Sequence, residues 1–297
     1  MSIEKQIFSR VIFFTCLLFL ILCCGIGWKL WENNCAVQYP AQANIEQSLN
    51  RGIVWLGTNR ANILTEENPM LWWMIKQSAE LTQNATLLSL YGDYKQRYLD
   101  SNPRNVWVYL FDANARVLID PHQLENVPDY NLFFLYASSC DSLLAQEPVV
   151  IEQLSPTFCD ARMLSPACVT HQLMGLRIAQ RYQCGDVGKI NEASRQLQER
   201  ILSQLFWDFR VVDVYLQRVW VMVESGAGDR IKPIWIQRVL SVQNADGGWS
   251  GFESLISLSN QRSLGFSSKG IDIGVNESNF HTTAQGVFLM SLLSAGR

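Results

Sequence analysis

Three histidines, His122, His171 and His281, are the only imidazoles in this chain of 297 residues. Two of them open apolar helical runs in similar surroundings, "CVTHQLMGLRIA" and "FHTTAQGVFLMSLL". A polar side chain at a helix start can face a mouth while the run behind it packs, and imidazole there can serve as acid, base or metal ligand because it titrates near neutrality. On the first run Cys168, His171, Gly175 and Tyr182 share a face by i+3, i+4 and i+7 steps. On the second, Thr282 and Gln285 accompany His281. His171 and His281 are therefore the candidate catalytic residues, with Cys168, Tyr182, Thr282 and Gln285 as candidate cavity lining. Thiolate and imidazole are good Zn²⁺ ligands, so zinc is the cofactor these residue types suggest. The competing reading is a pair of structural histidines bonded to backbone.

Other chemistry is thinly represented. Asp272 and the carboxylates of "WDFRVVD", Asp208 and Asp213, are isolated; with Arg210 and Arg218 the latter two read as a solvated helix face carrying intrahelical ion pairs. There is no P-loop, no G-x-G-x-x-G after a strand, no H-E-x-x-H and no G-x-S-x-G, which removes the commonest nucleotide, zinc-protease and serine-hydrolase readings. Lys and Arg (24) nearly balance Asp and Glu (27), and no basic block is interleaved with aromatics, so the chain carries no nucleic-acid footprint.

These residues must be positioned by helices. From Val11 to Trp28, "VIFFTCLLFLILCCGIGW" is uncharged and long enough to cross a bilayer at about 1.5 Å per residue. Lys5 and Arg10 on its short side place the N-terminus in the cytoplasm. A cleaved signal peptide is the competing reading, but "AQA" at Ala41–Ala43 lies far beyond the apolar run. The expected organisation is a cytoplasmic tail (1–10), a transmembrane signal-anchor (11–30), a polar linker (31–43) and a domain (44–297) outside the cytoplasm, in the periplasm if the host is bacterial.

Five cysteines lie beyond the span: Cys35, Cys140, Cys159, Cys168 and Cys184. A helix between Cys168 and Cys184 would hold them about 24 Å apart, against the roughly 4.4–6.8 Å between Cα atoms that a disulfide needs. The open pairs are Cys159 with Cys168, or Cys140 with Cys184, leaving Cys35 free; five reduced thiols is the alternative.

Within the domain, Ile45, Leu49, Ile53 and Leu56 recur at helical spacing with Gly57 as a stop. Asn68-Pro69 opens another helix, and further helices are expected around residues 84–98 and 129–145. "LSPACVTHQLMGLRIAQRYQCGD" reads as a helix capped by Ser165, with Pro166 first and Gly185 ending it. Lys189–Ser203 and Phe206–Glu224 follow as amphipathic helices, and Pro233 starts another. "WVYLFDANARVLIDPH" is the best hairpin candidate, a short helix being the alternative.

An apolar helix followed by Gln243, three residues, Gly247, one residue and Trp249 is the pattern Q-x3-G-x-W. With "IEQSLNRGIVWLGTNR" before it and the two His-bearing runs as inner-helix echoes, it resembles the QW repeat of the terpenoid cyclase (squalene cyclase) and protein prenyltransferase superfamily. The resemblance implies an all-α fold, an α/α toroid of two concentric helical layers around a central cavity. Gln243, Gly247, Gly248 and Trp249 would be scaffold residues: the glycines permit a tight turn, Trp249 packs over it, and the Gln243 amide satisfies helix-end backbone groups. Of the prenyltransferase zinc set of Asp, Cys and His, only His281 has a counterpart here, and the cyclase D-x-D-D acid motif is absent.

The function expected from the sequence is a membrane-anchored toroid binding an elongated lipid, glycan or peptide ligand, or a partner, in its cavity. The alternatives are an extracytoplasmic transferase, lyase or hydrolase using His171 and His281, and a structural subunit of a membrane complex.

Overall fold

The computed structural model describes residues 3–120, 124, 127–162 and 165–296. His122 and part of the hairpin candidate lie outside them. The chain opens with α1 (Ile3–Glu32), which from Ile12 to Glu32 has a mean hydropathy of 2.1 and is not buried against the protein, so it is long and apolar enough to span a membrane. The non-helical segment after it is held against the domain at its first residue. Asn33 is fully buried: its amide donates to the Leu205 carbonyl at 2.7 Å, and its side-chain oxygen accepts from the Tyr215 hydroxyl at 3.0 Å and from Arg238 at 3.1 Å.

Helices follow in quick succession. α2 (Gln42–Thr58) buries Ile45, Leu49, Ile53 and Leu56, the expected stripe, and a single turn α3 (Arg60–Ile63) continues it. α4 (Pro69–Thr82) starts where Asn68 accepts from the Met70 amide, and α5 (Ala85–Tyr94) where Asn84 accepts from the amides of Thr86 and Leu87. α6 (Asp129–Ser139) and the short α7 (Pro148–Gln153) precede α8 (Cys168–Tyr182). α9 (Val187–Trp207) and α10 (Asp213–Glu224) are separated by a non-helical break, and α11 (Pro233–Ser241) and α12 (Phe280–Ser294) complete the series.

Several expectations need correction. α8 begins at Cys168 without a side-chain cap, because Ser165 and Pro166 stand in the preceding turn. The stretch read as a hairpin contains a 3₁₀ turn, Val106–Leu110, and no strand among its described residues. The fold is also not all-α. β1 (Glu253–Ser257), β2 (Ser263–Ser267) and β3 (Gly270–Gly274) form an antiparallel meander, with Leu264 opposite Ile273 and Phe266 opposite Ile271. Phe252 lies so close to Gly265 and Gly274 that a Cβ on either would meet its ring within 3 Å.

Two disulfides, Cys140–Cys184 and Cys159–Cys168, tie α6 to α8 and the start of α8 to the segment before it, with Cα separations of 5.1 and 5.8 Å. Both are pairs the spacing allows, and Cys35 is free.

Contacts between helices fix their directions. Tyr130 meets His171 at the starts of α6 and α8, and Asp213 meets His281 at the starts of α10 and α12. Arg177 and Arg181 near the end of α8 pair with Glu224 at the end of α10, and Trp72 in α4 meets Phe280 in α12. Five helices, α4, α6, α8, α10 and α12, therefore run parallel with their N-termini at one end. α12, buried on every side from Thr282 to Leu293, packs against α4, α10 and an antiparallel α2. Where an open central cavity was expected, side chains interlock: Phe288 takes Trp73 and Trp220 edge-on at 5.5 and 5.3 Å, and the void left between α4, α8 and α10 is about 10 Å³.

The Q-x3-G-x-W turn joins the two ends of the domain. The Trp249 indole is fully buried between Gly52 of α2 and Gly286 of α12; a Cβ on either would come within 2.9 Å of its ring. Its Nε1 donates to the Val239 carbonyl at 3.0 Å, and the Gln243 amide donates to the carbonyls of Ser48 and Gly247. Gly247 has φ +97° and approaches the Arg51 carbonyl too closely for any side chain, while the Gly248 amide donates to Asp246.

Overpacking this wedge should be costly. Gly286→Ala should destabilise the protein by about 1–3 kcal/mol, read as a lower denaturant midpoint with an unchanged slope. An unaltered midpoint would mean that α2 and α12 are not held at this separation.

Candidate functional site

At the shared end of the parallel helices, the rings of His171 and Tyr130 stack with centroids 4.6 Å apart, and Phe134 stands edge-on to His171 at 6.2 Å. His171 is half-buried. Burial disfavours its charged form, a nearby charge on His281 adds to this, and its pKa falls to about 4. It is thus a neutral imidazole at pH 7. His281 is exposed, and its Nε2 lies 3.9 Å from Asp213 Oδ2. Oδ1 of Asp213 is buried without a hydrogen-bond partner. Asn279 caps α12 by accepting from the Thr282 amide at 2.9 Å, and Gly251 lies beside them, where a Cβ would stand within 3.8 Å of Asp213, Asn279 and Thr282.

The other predicted residues separate. Cys168 is held in a disulfide, so it supplies no thiolate. Tyr182 lies at the opposite end of α8, about 21 Å along the axis from Cys168, and donates to the Leu110 carbonyl. Gln285 is buried and accepts from the Trp220 indole at 3.3 Å, and Thr282 is buried beside the Gly251 turn. Gln243, Gly247, Gly248 and Trp249 belong to the turn described above. Among the described residues no three His, Cys, Asp or Glu side chains come together as a metal site, so zinc finds no ligand set there.

A larger feature lies beside the start of α8. A pocket of about 540 Å³ is lined by Arg162, Arg200, Arg210 and Arg218 together with the Cys159–Cys168 disulfide. The first turn of α8, uncapped by any side chain, forms part of its wall, so the positive end of the helix dipole adds to its positive character. Asp208, Arg210 and Arg218 are not the solvated helix face expected from sequence. Asp208 and Arg210 sit at the break between α9 and α10, where Asp208 bridges Arg210 at 2.7 Å and, at 2.7 Å, Arg218 from within α10, which is only 3% exposed. Burial opposes the Asp208 charge, but bonds from Arg210 and the charge of Arg218 outweigh it and hold the carboxyl below its usual range. Arg162 and Arg200 are tied differently, to the exposed carboxylates of Asp129 and Asp160 at 2.9 and 2.8 Å. Exposed pairs contribute little, about 0–1 kcal/mol, so these two guanidinium groups can exchange partners for an incoming anion.

Sequence reasoning missed Tyr130, Asp213 and the arginine pocket. Asp213 follows the rule that found the histidines, a polar residue at the start of a helix. The arginines come from four separate segments, and no local pattern links them.

No family model matches the chain, and comparison with curated proteins and with solved structures gives no match.

The neutral state of His171 has a consequence for stability. In the unfolded chain the imidazole takes its proton near 6.5, in the folded protein only near 4. Between those values the unfolded state binds more protons, so stability is lost as the pH falls through the window. His171→Phe, which keeps a ring on Tyr130, should flatten that part of the pH dependence when denaturant midpoints at pH 7 and pH 5 are compared. An unchanged difference between the two midpoints would show that His171 titrates normally.

Proposed function

We propose that this is a single-pass anchored protein whose helical domain lies outside the cytoplasm and binds the anionic end of a ligand or partner at the shared N-terminal end of its parallel helices. The arginine pocket carries this reading: four guanidinium groups, one of them buried, converge beside the N-terminal end of α8, and the bidentate geometry of guanidinium suits carboxylate, phosphate or sulfate. The extracytoplasmic placement is supported by two disulfides, which persist in oxidising compartments, and by basic residues on the short side of α1.

An α/α toroid is the arrangement that best accounts for five parallel helices with antiparallel neighbours and a turn joining the first helix of the domain to the last. The scaffold itself names no substrate. With its middle filled by Trp73, Trp220 and Phe288, such a ring offers its end, rather than a bore, to an elongated lipid, glycan or peptide.

The second reading, catalysis, is favoured by one observation: the buried, unpartnered oxygen of Asp213 beside His281. In that case His281 moves the proton and Asp213 orients it. Asp213→Asn would then leave ligand binding intact while abolishing turnover, and full turnover in that variant rejects the dyad.

Calorimetric titration of the full-length protein in detergent with sulfate, at constant ionic strength, tests the binding reading. Sulfate should bind and chloride should not. Arg200→Ala, which removes a rim guanidinium without disturbing the buried Asp208 cluster, should weaken sulfate by about tenfold, the 1.4 kcal/mol expected for one charge-assisted bond. Equal heats for sulfate and chloride would overturn the proposal.

A further inference from the structure

One side chain, Arg238 of α11, joins the end of the membrane helix to the β-meander. Its Nη1 donates to Asn33 Oδ1 at 3.1 Å, just beyond α1; its Nη2 donates to the Phe209 carbonyl at 2.6 Å and lies 4.0 Å from Glu253, the first residue of β1. Glu253 in turn accepts from the Val211 amide at 2.8 Å, and the ring of Phe209 stands edge-on to Phe266 of β2 at 5.8 Å. The sheet therefore sits beside the exit point of α1, with the break between α9 and α10 packed between them.

One face of that sheet meets the domain through Phe266 and Glu253 and is otherwise apolar, with Ile256, Ile271 and Ile273 exposed. Pairing places Ile256 opposite Leu264, Leu264 opposite Ile273, and Phe266 opposite Ile271, so these side chains form one continuous patch. Ile271 is 73% exposed and Ile256 58%. The end of α9 adds Phe206 and Trp207, the latter 64% exposed, where Asn34 donates to the Phe206 carbonyl. In the last turns of α1, Trp28 and Trp31 are equally bare, their rings 5.0 Å apart, and Lys232 lies over Phe206 at 4.9 Å. Indole rings with nearby ammonium groups are the residues that settle at a membrane–water interface.

We infer that the apolar face of the meander, together with Phe206 and Trp207, is a second membrane-contacting surface, seated in the interfacial layer of the bilayer that α1 spans. The inference rests on the anchor reading and extends it: α1 does not tether a freely tumbling domain, because Asn33 and Arg238 lock the domain to the end of the span. The occupant is lipid rather than another protein because Asn34, just beyond α1, bonds the Phe206 carbonyl and Phe209 meets Phe266 of β2, which sets these exposed apolar side chains beside the bare Trp28 and Trp31 at the end of the span. With the domain held in this way, the arginine pocket, which includes Arg210 from the same break, opens close to the headgroup layer.

Spin labels on the full-length protein in lipid nanodiscs test this, with Cys16, Cys23, Cys24 and Cys35 replaced by serine and both disulfides left intact. Labels go on Leu18→Cys in the span, Ile271→Cys on the sheet, and Leu88→Cys on α5 as an exposed site at the other end of the domain. Collision with oxygen, which partitions into lipid, is compared with collision with a water-soluble nickel chelate. The label at Ile271 should shift toward oxygen and away from nickel relative to Leu88, approaching the value at Leu18. A label at Ile271 as nickel-accessible as Leu88, with Leu18 in lipid, overturns the inference while leaving the anchor intact. A label shielded from both probes means that a second protein copy covers the face, which also overturns it. Nickel access at Leu18 removes the anchor reading and this inference with it.

Discussion

The indole of Trp249 lies between two glycines that are 234 residues apart, and the arrangement of the helices depends on that contact. Gly52 belongs to the first helix of the domain and Gly286 to the last; with any side chain at either position, the ring would be displaced. The wedge therefore does two things at once. It fixes the separation of α2 and α12, and its hydrogen bond to Val239 holds the end of α11 against the same junction. Because α12 is buried on all sides among α4, α10 and α2, any loosening there would spread through the core. Gathering the helix starts at one end, and with them His171, Asp213, His281 and the uncapped turn of α8, follows from this closure rather than from local sequence.

A polar centre governs how the domain meets the apolar helix α1. Asn33 is fully buried yet satisfied by Leu205, Tyr215 and Arg238, and its own carbonyl accepts from the Trp235 indole at 2.9 Å. A buried amide with all its bonds made is specific rather than merely tolerated, since losing one partner would strand the rest at about 1–3 kcal/mol each. Arg218 and Asp208 obey the same logic next door. Their pairing costs desolvation that the two bonds between Asp208 and its arginines offset, and it holds both charges in place beside the pocket.

Much of the fold was legible in the sequence. The apolar stripe of α2, the asparagine caps at Asn68 and Asn84, the apolar span and the spacing that permits both disulfides all express rules that act over a few residues. The Q-x3-G-x-W turn was legible as a scaffold element, although its two glycine partners were not, since they lie far away in the chain. The meander was overlooked although "SLGFS" and "GIDIG" alternate with a period of two; its strands are short and follow a turn motif that drew attention to helices. Ser165 lost its capping role because α8 starts three residues later. The filled middle could not be read at all, because Trp73, Trp220 and Phe288 each look like ordinary core residues on their own helices. The arginine pocket escaped for the same reason: residues 162, 200, 210 and 218 converge only in three dimensions.

Closure of the domain through Trp249 is the claim on which the rest stands, and native-state hydrogen exchange tests it most directly. In the intact protein the amides of α2 and α12 should exchange as one cooperative unit near the global unfolding free energy. In Trp249→Ala, protection in α2 should fall together with that in α12 while the disulfide-tied α6 and α8 keep theirs. Unchanged protection of α2 in that variant would contradict the account.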